Sequence, residues 1–279
     1  MSAEGHSTTL RLTVEYDGTA FSGFQWQPGA RTVAGTLEAA LSRLLRESVK
    51  ATGAGRTDAG VHATGQVVSL GTDRDFPWER LPFALNALLP EDLRIRRSEL
   101  VPAGFSARFS ARERTYVYAL LDGPAPSALL ARYAWQVRSR LDLGAMRAAA
   151  ELLVGEHDFR SFCATLPQPG PGGAVSTQRE VRRLTVERRG GLVRVEIAAN
   201  AFLHRMVRTI VGTLAECGTG RRPPEDLSRV LAARAREAAG VTAPACGLYL
   251  AGVRYEDGYD SFSEPPATGA PLDGTPAFP

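Results

Sequence analysis

Short segments with strand and helix periodicity follow one another along most of this chain, and this alternation limits the fold more than any other feature. Apolar side chains at every second position of residues 10–16 predict a half-buried strand. Apolar residues at helical spacing predict a helix over 33–45. Further strands are predicted at 67–70, 93–97, 113–121, 181–186, 192–197 and 248–253, and Gly190-Gly191 predicts a hairpin between the strands 181–186 and 192–197. Further helices are predicted at 81–89, at 143–154 with Asp142 as its cap, at 203–214 with His204 and Arg208 as neighbours on one face, and after Pro223-Pro224. Such a mixture with short connections indicates an α+β fold with an antiparallel sheet.

The length of the chain allows one large or two modest domains, since 44% of its 279 residues are hydrophobic. A segment rich in glycine, proline and alanine at 123–128 predicts a joint between an N-terminal half, 10–122, and a C-terminal half, 129–255. We expect residues 1–9 to be a flexible N-terminus. Residues 256–279 hold five prolines and no periodicity, which predicts a disordered tail.

The chain shows no sign of export, membrane insertion or metal binding. Its first residues have neither a basic start nor an apolar run, and no segment approaches the length of a membrane span, so we expect a cytoplasmic protein. Cys163, Cys217 and Cys246 lie far apart, without the spacing of a zinc site or a disulfide framework. We therefore expect no metal and three reduced thiols.

The charge of the chain is compatible with a phosphate-rich partner. Its net charge is +3 and its isoelectric point is near 8.9. Lys50 is the one lysine among 33 basic residues, and arginine is well suited to bidentate phosphate contacts and to stacking. Because genome base composition can produce the same excess, no single arginine is evidence for nucleic-acid binding by its identity alone.

The segment GAGRTDAGVHATGQVV, residues 53–68, carries the clearest sign of chemistry. A dinucleotide-binding loop would need a third glycine where Asp58 stands, and the Gly-Lys-Ser/Thr of a P-loop is absent, so a phosphate cradle is disfavoured. By itself Asp58 is typical of an Asx-turn. Arg56, two residues earlier, would favour the ionised carboxylate that a nucleophile or general base requires. His62 has no serine or cysteine close in sequence, which favours a core histidine over a catalytic one.

These residues resemble the signature of the tRNA pseudouridine synthase A family, whose core is Ala-Gly-Arg-Thr-Asp-x-Gly-Val-His followed by Gly-Gln. Here the core is residues 54–62, and Gly65-Gln66 follows. Other segments similar to family motifs occur in the expected order at 16–25, 32–38, 86–90, 105–108, 155–162, 200–208 and 247–250. The likeness extends to about residue 255. Phe24 stands where the family usually has tryptophan, and Ser106 where a larger polar residue is usual, which affects fine substrate contacts more than the reaction.

The resemblance implies an isomerase that converts uridine into pseudouridine at positions 38 to 40 of the tRNA anticodon stem-loop, without a metal or organic cofactor. It implies two ferredoxin-like halves that form a continuous, mostly antiparallel sheet flanked by helices, with a positively charged central cleft. It also implies a homodimer in which both subunits contact the tRNA.

The resemblance also implies roles for five side chains. Asp58 is the catalytic carboxylate, and its attack on the sugar or on the base stays open. Arg56 acts in base flipping or in charge pairing with Asp58, and both roles stay open. Tyr116 stacks on the uracil, although the strand periodicity alone would make it an ordinary amphipathic strand residue. Arg208 pairs with the catalytic aspartate, and Leu250 packs the pocket floor, where ordinary strand core would show the same burial.

Two other classes of function remain compatible with the residues alone. A non-catalytic RNA-binding protein would use arginines for phosphates and tyrosines for stacking, but it gives the acid of Asp58 no purpose. A hydrolase with an aspartate nucleophile would act on a small molecule and would need neither a basic surface nor a dimer. An assay for pseudouridine in a tRNA transcript separates these classes.

Overall fold

The computed structural model describes residues 8–166, 176–256 and 260–262. Its strands are β1 (Thr8–Tyr16), β2 (Thr52–Gly53), β3 (His62–Thr72), β4 (Leu93–Val101), β5 (Ala111–Asp122), β6 (Trp135–Val137), β7 (Gly155–Asp158), β8 (Gln178–Arg189), β9 (Leu192–Ala199), β10 (Leu248–Tyr255) and β11 (Ser261–Phe262). Its helices are α1 (Val33–Leu45), α2 (Leu81–Asn86), α3 (Leu143–Glu151), α4 (Met206–Gly218) and α5 (Asp226–Ala233). The expected α+β class is confirmed. Most of the predicted N-terminus and tail lies outside the described residues.

The chain divides into two compact units. Among the described residues, the first unit holds 8–114 together with 249–256 and 260–262, and the second holds 115–166 and 176–248. In these ranges no helix has the length and apolar character that crossing a membrane requires.

The first unit is built on strands in the order β4-β1-β3-β10, with β2 beside β3 and β11 beside β10. Strand β1 is antiparallel to β3, and Leu10 and Leu12 face Leu70 and Val68 across the pair. All four side chains are buried, so the alternation in the sequence corresponds to one continuous apolar face. Strand β10 is parallel to β3.

Strand β1 departs from the predicted half-buried pattern at Arg11. This side chain is only 1% exposed and forms an ion pair with Glu99 of β4. Its guanidinium carbon lies 5.7 Å from the ring centroid of Tyr255. The strand is therefore covered on both faces at this point, and the arginine is accommodated by a carboxylate and an aromatic ring.

The second unit is built on strands in the order β5-β9-β8-β7, with β6 parallel to β5. Strands β8 and β9 form the predicted hairpin, whose Gly190 has a φ of 55°. Helix α3 packs against α4 and β8. It begins with the predicted cap, since Asp142 accepts hydrogen bonds from the backbone N–H groups of Gly144 and Ala145 at 2.8 and 3.1 Å.

The start of α4 corrects the prediction from helical spacing. The helix begins at Met206 and not at Leu203, because Arg205 adopts the left-handed conformation with a φ of 58°. His204 and Arg208 are therefore not neighbours on one helix face, as their spacing of four had predicted. Before the helix, the chain is held by Asn200, whose Oδ1 accepts from the backbone N–H of Ala201 at 2.7 Å.

A buried carboxylate ties three segments of the second unit together. Asp122, at the end of β5, accepts two hydrogen bonds from the Arg188 guanidinium of β8 at 2.7 and 2.9 Å. The backbone N–H of Leu141 donates to it at 2.9 Å. The Asp122 side chain is fully buried and Arg188 is 26% exposed. The hydrogen bonds from Arg188 hold the pKa of Asp122 below its usual range.

We predict that Arg188→Met lowers the free energy of unfolding by about 2 kcal/mol at pH 7, because Asp122 loses charge-assisted hydrogen bonds. A carboxylate with a lowered pKa stabilises the folded state above its unfolded pKa of about 4 and loses this contribution as the pH falls through the folded pKa. The difference from the wild type should therefore narrow below about pH 4 in denaturant titrations.

The control is Arg229→Met, which removes an ion pair from an arginine that is 84% exposed. It should change stability by about 0.5 kcal/mol or less. Equal losses in the two variants, or a loss for Arg188→Met that does not depend on pH, would contradict the assigned role of Asp122.

Candidate active site

The loop 54–61, between β2 and β3, carries Asp58. Its start is fixed to β3, because the backbone N–H of Ala54 donates to the carbonyl of Val67 at 2.8 Å. Its end is a β-turn in which the N–H of Val61 donates to the carbonyl of Asp58 at 3.1 Å. Gly60, the third residue of this turn, has a φ of 78°, a conformation that favours glycine. Asp58 therefore opens a tight turn that leads directly into β3.

A buried side-chain cluster holds the residues on both sides of Arg56. The hydroxyls of Tyr16 and Thr57 lie 2.8 Å apart, and the Gln66 amide donates to the carbonyl of Gly55 at 2.7 Å. The same amide donates to the Tyr16 hydroxyl at 3.4 Å. Because Tyr16, Thr57 and Gln66 are all buried, these bonds are shielded from competition with water.

The Tyr16 hydroxyl stays neutral in this cluster. Burial raises the pKa of Tyr16 to about 12, and the hydrogen bonds with Thr57 and Gln66 offset only part of this shift. The cluster therefore keeps its hydrogen bonds across the pH range in which a carboxylate is ionised.

Glycines of the N-terminal segment allow its backbone to contact the loop 54–61 directly. A Cβ on Gly23 would lie 2.9 Å from the carbonyl oxygen of Thr57 and 3.3 Å from the backbone nitrogen of Ala59. One on Gly18 would lie 2.0 Å from the carbonyl oxygen of Val61. The N–H of Phe24 also donates to the carbonyl of Thr57 at 3.0 Å. The N-terminal motif thus forms the support under Asp58.

Phe24, where the family usually has tryptophan, is buried in this support. A Cβ on Gly53 would lie 2.4 Å from the Phe24 ring, so the ring packs directly on the backbone of β2. A larger indole at this position would need a different fit against Gly53.

The two charged side chains of the loop differ in exposure. Asp58 is half-buried, whereas Arg56 is exposed. Within the described part of the chain, the Arg56 guanidinium forms no ion pair, and so none with Asp58. The loop therefore presents a cation to solvent beside a partly shielded carboxylate.

His62 has a structural position, in agreement with its interpretation as a core histidine. Its Nδ1 accepts from the backbone N–H of Gly18 at 3.1 Å. The Asp17 carboxylate lies 3.2 Å from the same nitrogen. The buried imidazole stacks on Tyr249, with ring centroids 4.9 Å apart.

Leu250 lies in the same unit as Asp58. It is fully buried on β10, opposite Ala63 at the start of β3. The close fit of the two strands depends on Gly65, where a Cβ would lie 2.2 Å from the carbonyl oxygen of Ala251. Leu250 therefore belongs to the strand next to β3, which the loop 54–61 enters.

Tyr116 and Arg208 belong to the second unit. The Tyr116 ring is buried and contacts Phe202 edge-on, with centroids 5.1 Å apart and planes at 88°. Arg208 lies in the first turn of α4, and its Nε donates to the carbonyl of Ala243 at 2.8 Å. The N–H of Ala243 donates back to the Arg208 carbonyl at 3.0 Å. Each side chain is thus held by neighbours in its own unit.

Sequence reasoning gave no role to Tyr16, Gly23, Thr57 and Gln66, which hold the loop. The sequence did contain a signal for three of them, because Tyr16 and Gly23 belong to the motif at 16–25 and Gln66 follows the motif at 54–62. Among the residues that the structure describes, no group of three or more histidine, cysteine, aspartate or glutamate side chains could hold a metal ion.

Comparisons with known proteins match most of the chain. A family model described as tRNA pseudouridine synthase matches residues 12–110 and 149–256. The tRNA pseudouridine synthase A of Brevibacillus brevis is 47% identical over 246 residues, which covers 88% of this chain and 99% of that protein. The protein of the same name from Moorella thermoacetica is 44% identical over 249 residues, with coverage of 88% and 99%.

A solved structure of an archaeal box H/ACA sRNP Nop10–Cbf5 complex overlaps with 82% of this chain and 69% of that chain. The identity is 14% and the TM-score is 0.31, so this overlap carries no argument about the chain.

The contact between Gly23 and the loop 54–61 leads to a prediction about stability. Gly23→Ala would add both the strain of a φ of 90° and a clash with the Thr57 carbonyl. Gly29→Ala is the matched control, since Gly29 has a φ of 72° and a Cβ added there would meet no atom within 4 Å. We expect about 1 kcal/mol of destabilisation for Gly29→Ala and about 2 kcal/mol more for Gly23→Ala. Urea denaturation measures both changes in the free energy of unfolding. Equal destabilisation in the two variants would show that the loop moves away from the added Cβ without an energetic penalty.

Proposed function

The chain belongs to the tRNA pseudouridine synthase family, and we propose that it isomerises uridine to pseudouridine at positions 38 to 40 of the tRNA anticodon stem-loop, with Asp58 as the catalytic carboxylate. Membership of this family makes the chain an isomerase. The position of the target uridines and the roles of individual residues are our proposal.

The reaction moves the bond to the ribose from one atom of the uracil ring to another, without net gain or loss of atoms. The N1–C1′ bond breaks, the uracil rotates, a C5–C1′ bond forms, and C5 loses a proton while N1 gains one. A carboxylate can begin this sequence at the sugar carbon or at the pyrimidine ring, and both routes require an ionised group in a fixed position. Asp58 has such a position within its unit.

The observation that carries the proposal is the support of the Asp58 turn. The buried Tyr16–Thr57 hydrogen bond of 2.8 Å fixes the residue before Asp58, and Gly23 packs without a side chain against the same segment. A catalytic group that is held in place before the substrate binds loses little entropy during the reaction. This support is the feature expected of a nucleophile or base, and an acid used only for solubility would not need it.

Arg56 is proposed to act in base flipping. A stacked uridine must leave the stem before a carboxylate can reach it, at a cost of a few kcal/mol. Arg56 lies between two anchored residues of the chain. The Gln66 amide holds the carbonyl of Gly55, and the Tyr16 hydroxyl holds the side chain of Thr57. An anchored, exposed arginine can fill the vacated stack or hold the flipped nucleotide, since guanidinium stacks on bases and binds phosphate.

The remaining roles follow from the family. We propose that Tyr116 stacks on the uracil, which its edge-on contact with Phe202 supports by fixing the ring plane. Arg208 is proposed to bind the substrate through its guanidinium, and Leu250 to pack the floor of the uracil pocket. We also propose that the enzyme works as a homodimer in the cytoplasm.

We predict that Asp58→Asn binds an unmodified tRNA transcript with nearly wild-type affinity but forms no detectable pseudouridine, because the amide cannot act as a nucleophile or base. Mass spectrometry of digested tRNA measures the product, and filter binding measures the affinity. The control is Asp75→Asn, an exposed aspartate of the same unit, which should retain full activity. Appreciable turnover by Asp58→Asn would refute the assignment, and binding without product by the wild type would indicate an RNA-binding module.

We predict that Arg56→Ala slows pseudouridine formation about 30-fold on a tRNA whose target uridine is paired. Without the guanidinium, the free energy needed to extrude the uridine rises by roughly 2 kcal/mol. A transcript with a mismatch at the target should restore most of the rate, since a mismatched base is extruded at lower cost. Single-turnover kinetics on the two transcripts measures this difference. An equal loss on both would assign Arg56 to the chemical step instead.

A further inference from the structure

A rigid loop beside the catalytic loop presents an exposed arginine and an exposed phenylalanine. The segment 102–110 connects β4 to β5, and it carries Arg108 and Phe109 near its C-terminal end. Phe109 is 78% exposed, and the guanidinium carbon of Arg108 lies 5.2 Å from its ring centroid. Such an exposed aromatic side chain on a fixed loop is a common sign of a binding surface.

The loop is fixed to the first unit by side chains from two strands. Its Ala107 N–H donates to the Ser69 hydroxyl of β3 at 3.0 Å, and the Ala107 carbonyl accepts from the Tyr255 hydroxyl of β10 at 2.8 Å. Burial raises the pKa of Tyr255, so this hydroxyl remains a donor. Phe105 packs on the same ring, with centroids 5.1 Å apart. Arg108 and Phe109 are therefore presented by a backbone that is already held by hydrogen bonds.

One arginine connects this loop to the catalytic loop. Nη2 of Arg114 donates to the carbonyl of Ala54 at 3.1 Å and to the carbonyl of Arg108 at 2.6 Å. The two carbonyl oxygens therefore lie within two hydrogen-bond lengths of each other. Ala54 is two residues before Arg56, so the exposed guanidinium groups of Arg56 and Arg108 extend from adjacent stretches of backbone.

The charge of this region suits a polyanion. Segment 102–110 contains no acidic residue, and the Arg108 guanidinium forms no ion pair within the described ranges. An exposed arginine beside an exposed aromatic ring is the combination that binds single-stranded RNA, in which bases stack and phosphates need a cation. A protein partner would need a surface that is both acidic and apolar to match Arg108 and Phe109, and no feature of this unit favours such a partner over RNA.

We propose that Arg108 and Phe109 form a second RNA-contact surface, on which Phe109 stacks on an unpaired base close to the target uridine and Arg108 binds an adjacent phosphate. The inference rests on the proposed function, because it assigns the surface to the same tRNA. Its role is to dock the substrate, and the chemistry stays with Asp58.

The test is the affinity for an unmodified tRNA transcript at several salt concentrations. Phe109→Ala should raise the Kd about tenfold through the loss of a stacked base, and Phe109→Trp should keep the wild-type Kd. Arg108→Gln should raise the Kd and reduce the slope of log affinity against log salt by about 0.7 to 0.9, the value of one phosphate contact. Arg108→Lys should keep the slope, since the charge remains.

Arg80→Gln and Phe83→Ala are the matched controls. Phe83 is 85% exposed on α2, Arg80 is exposed just before this helix, and α2 packs on the edge strand β4. Both controls should bind tRNA as the wild type does. Thermal melting checks that Phe109→Ala is folded, and the Trp and Gln variants test the proposal independently of that variant.

Loss of affinity in Phe109→Ala and Arg108→Gln, with wild-type binding in the controls, supports the proposal. Wild-type affinity and salt slope in both variants would overturn it, as would equal losses in the controls. If the wild type forms pseudouridine while these variants bind normally, only this inference fails. If the wild type forms none, the proposed function itself fails.

Discussion

The buried hydrogen bond between Tyr16 and Thr57 connects the first strand of the chain to the residue before Asp58, and the site in this unit depends on it. At 2.8 Å and away from water, it is stronger than the same bond at the surface. Gln66 extends it from β3 to the carbonyl of Gly55. Strands β1 and β3 and the loop 54–61 therefore share one polar cluster, which fixes where Asp58 can lie. A loop without this cluster would have to order itself on substrate binding and would lose part of the binding energy in doing so.

Close backbone packing completes what the hydrogen bonds begin. Gly18 and Gly23 bring the N-terminal segment against the turn, and Gly65 brings β10 against β3, each at a distance that leaves no room for a Cβ. These contacts join three motifs that are far apart in the sequence. Their residues occur together because they form one support, in which a change at any one position displaces the others.

The sequence predicted the elements better than the contacts between them. Periodicity located β1, α1 and the β8–β9 hairpin, and the cap at Asp142 was predicted from its residue type. The start of α4 was wrong, because one left-handed residue, Arg205, overrides helical spacing. The parallel pairing of β10 with β3 could not be predicted, since strand pairing over such a separation leaves no local pattern.

The sequence predicted the charged residues of the candidate site but not the buried residues that hold the loop in place. Asp58 and Arg56 were predicted as site residues because their spacing and the resemblance agree, and their roles stay predictions. The cluster around Tyr16 was not found, because a tyrosine at the end of a strand has the same pattern whether its hydroxyl is exposed or buried. Arg11 shows the same limit, since nothing in an alternating strand indicates that a charged side chain is covered by Glu99 and Tyr255.

The most direct test of the central claim, that Asp58 is held ready to act on an extruded uridine, is a crystal structure of the Asp58→Asn variant with an unmodified tRNA. We expect the target uridine to be out of the stem, with its C1′ or its uracil ring within about 3.5 Å of the side chain at position 58, and the Tyr16–Thr57 bond to be unchanged. A uridine that remains stacked in the stem, or that lies against a different carboxylate, would contradict the account.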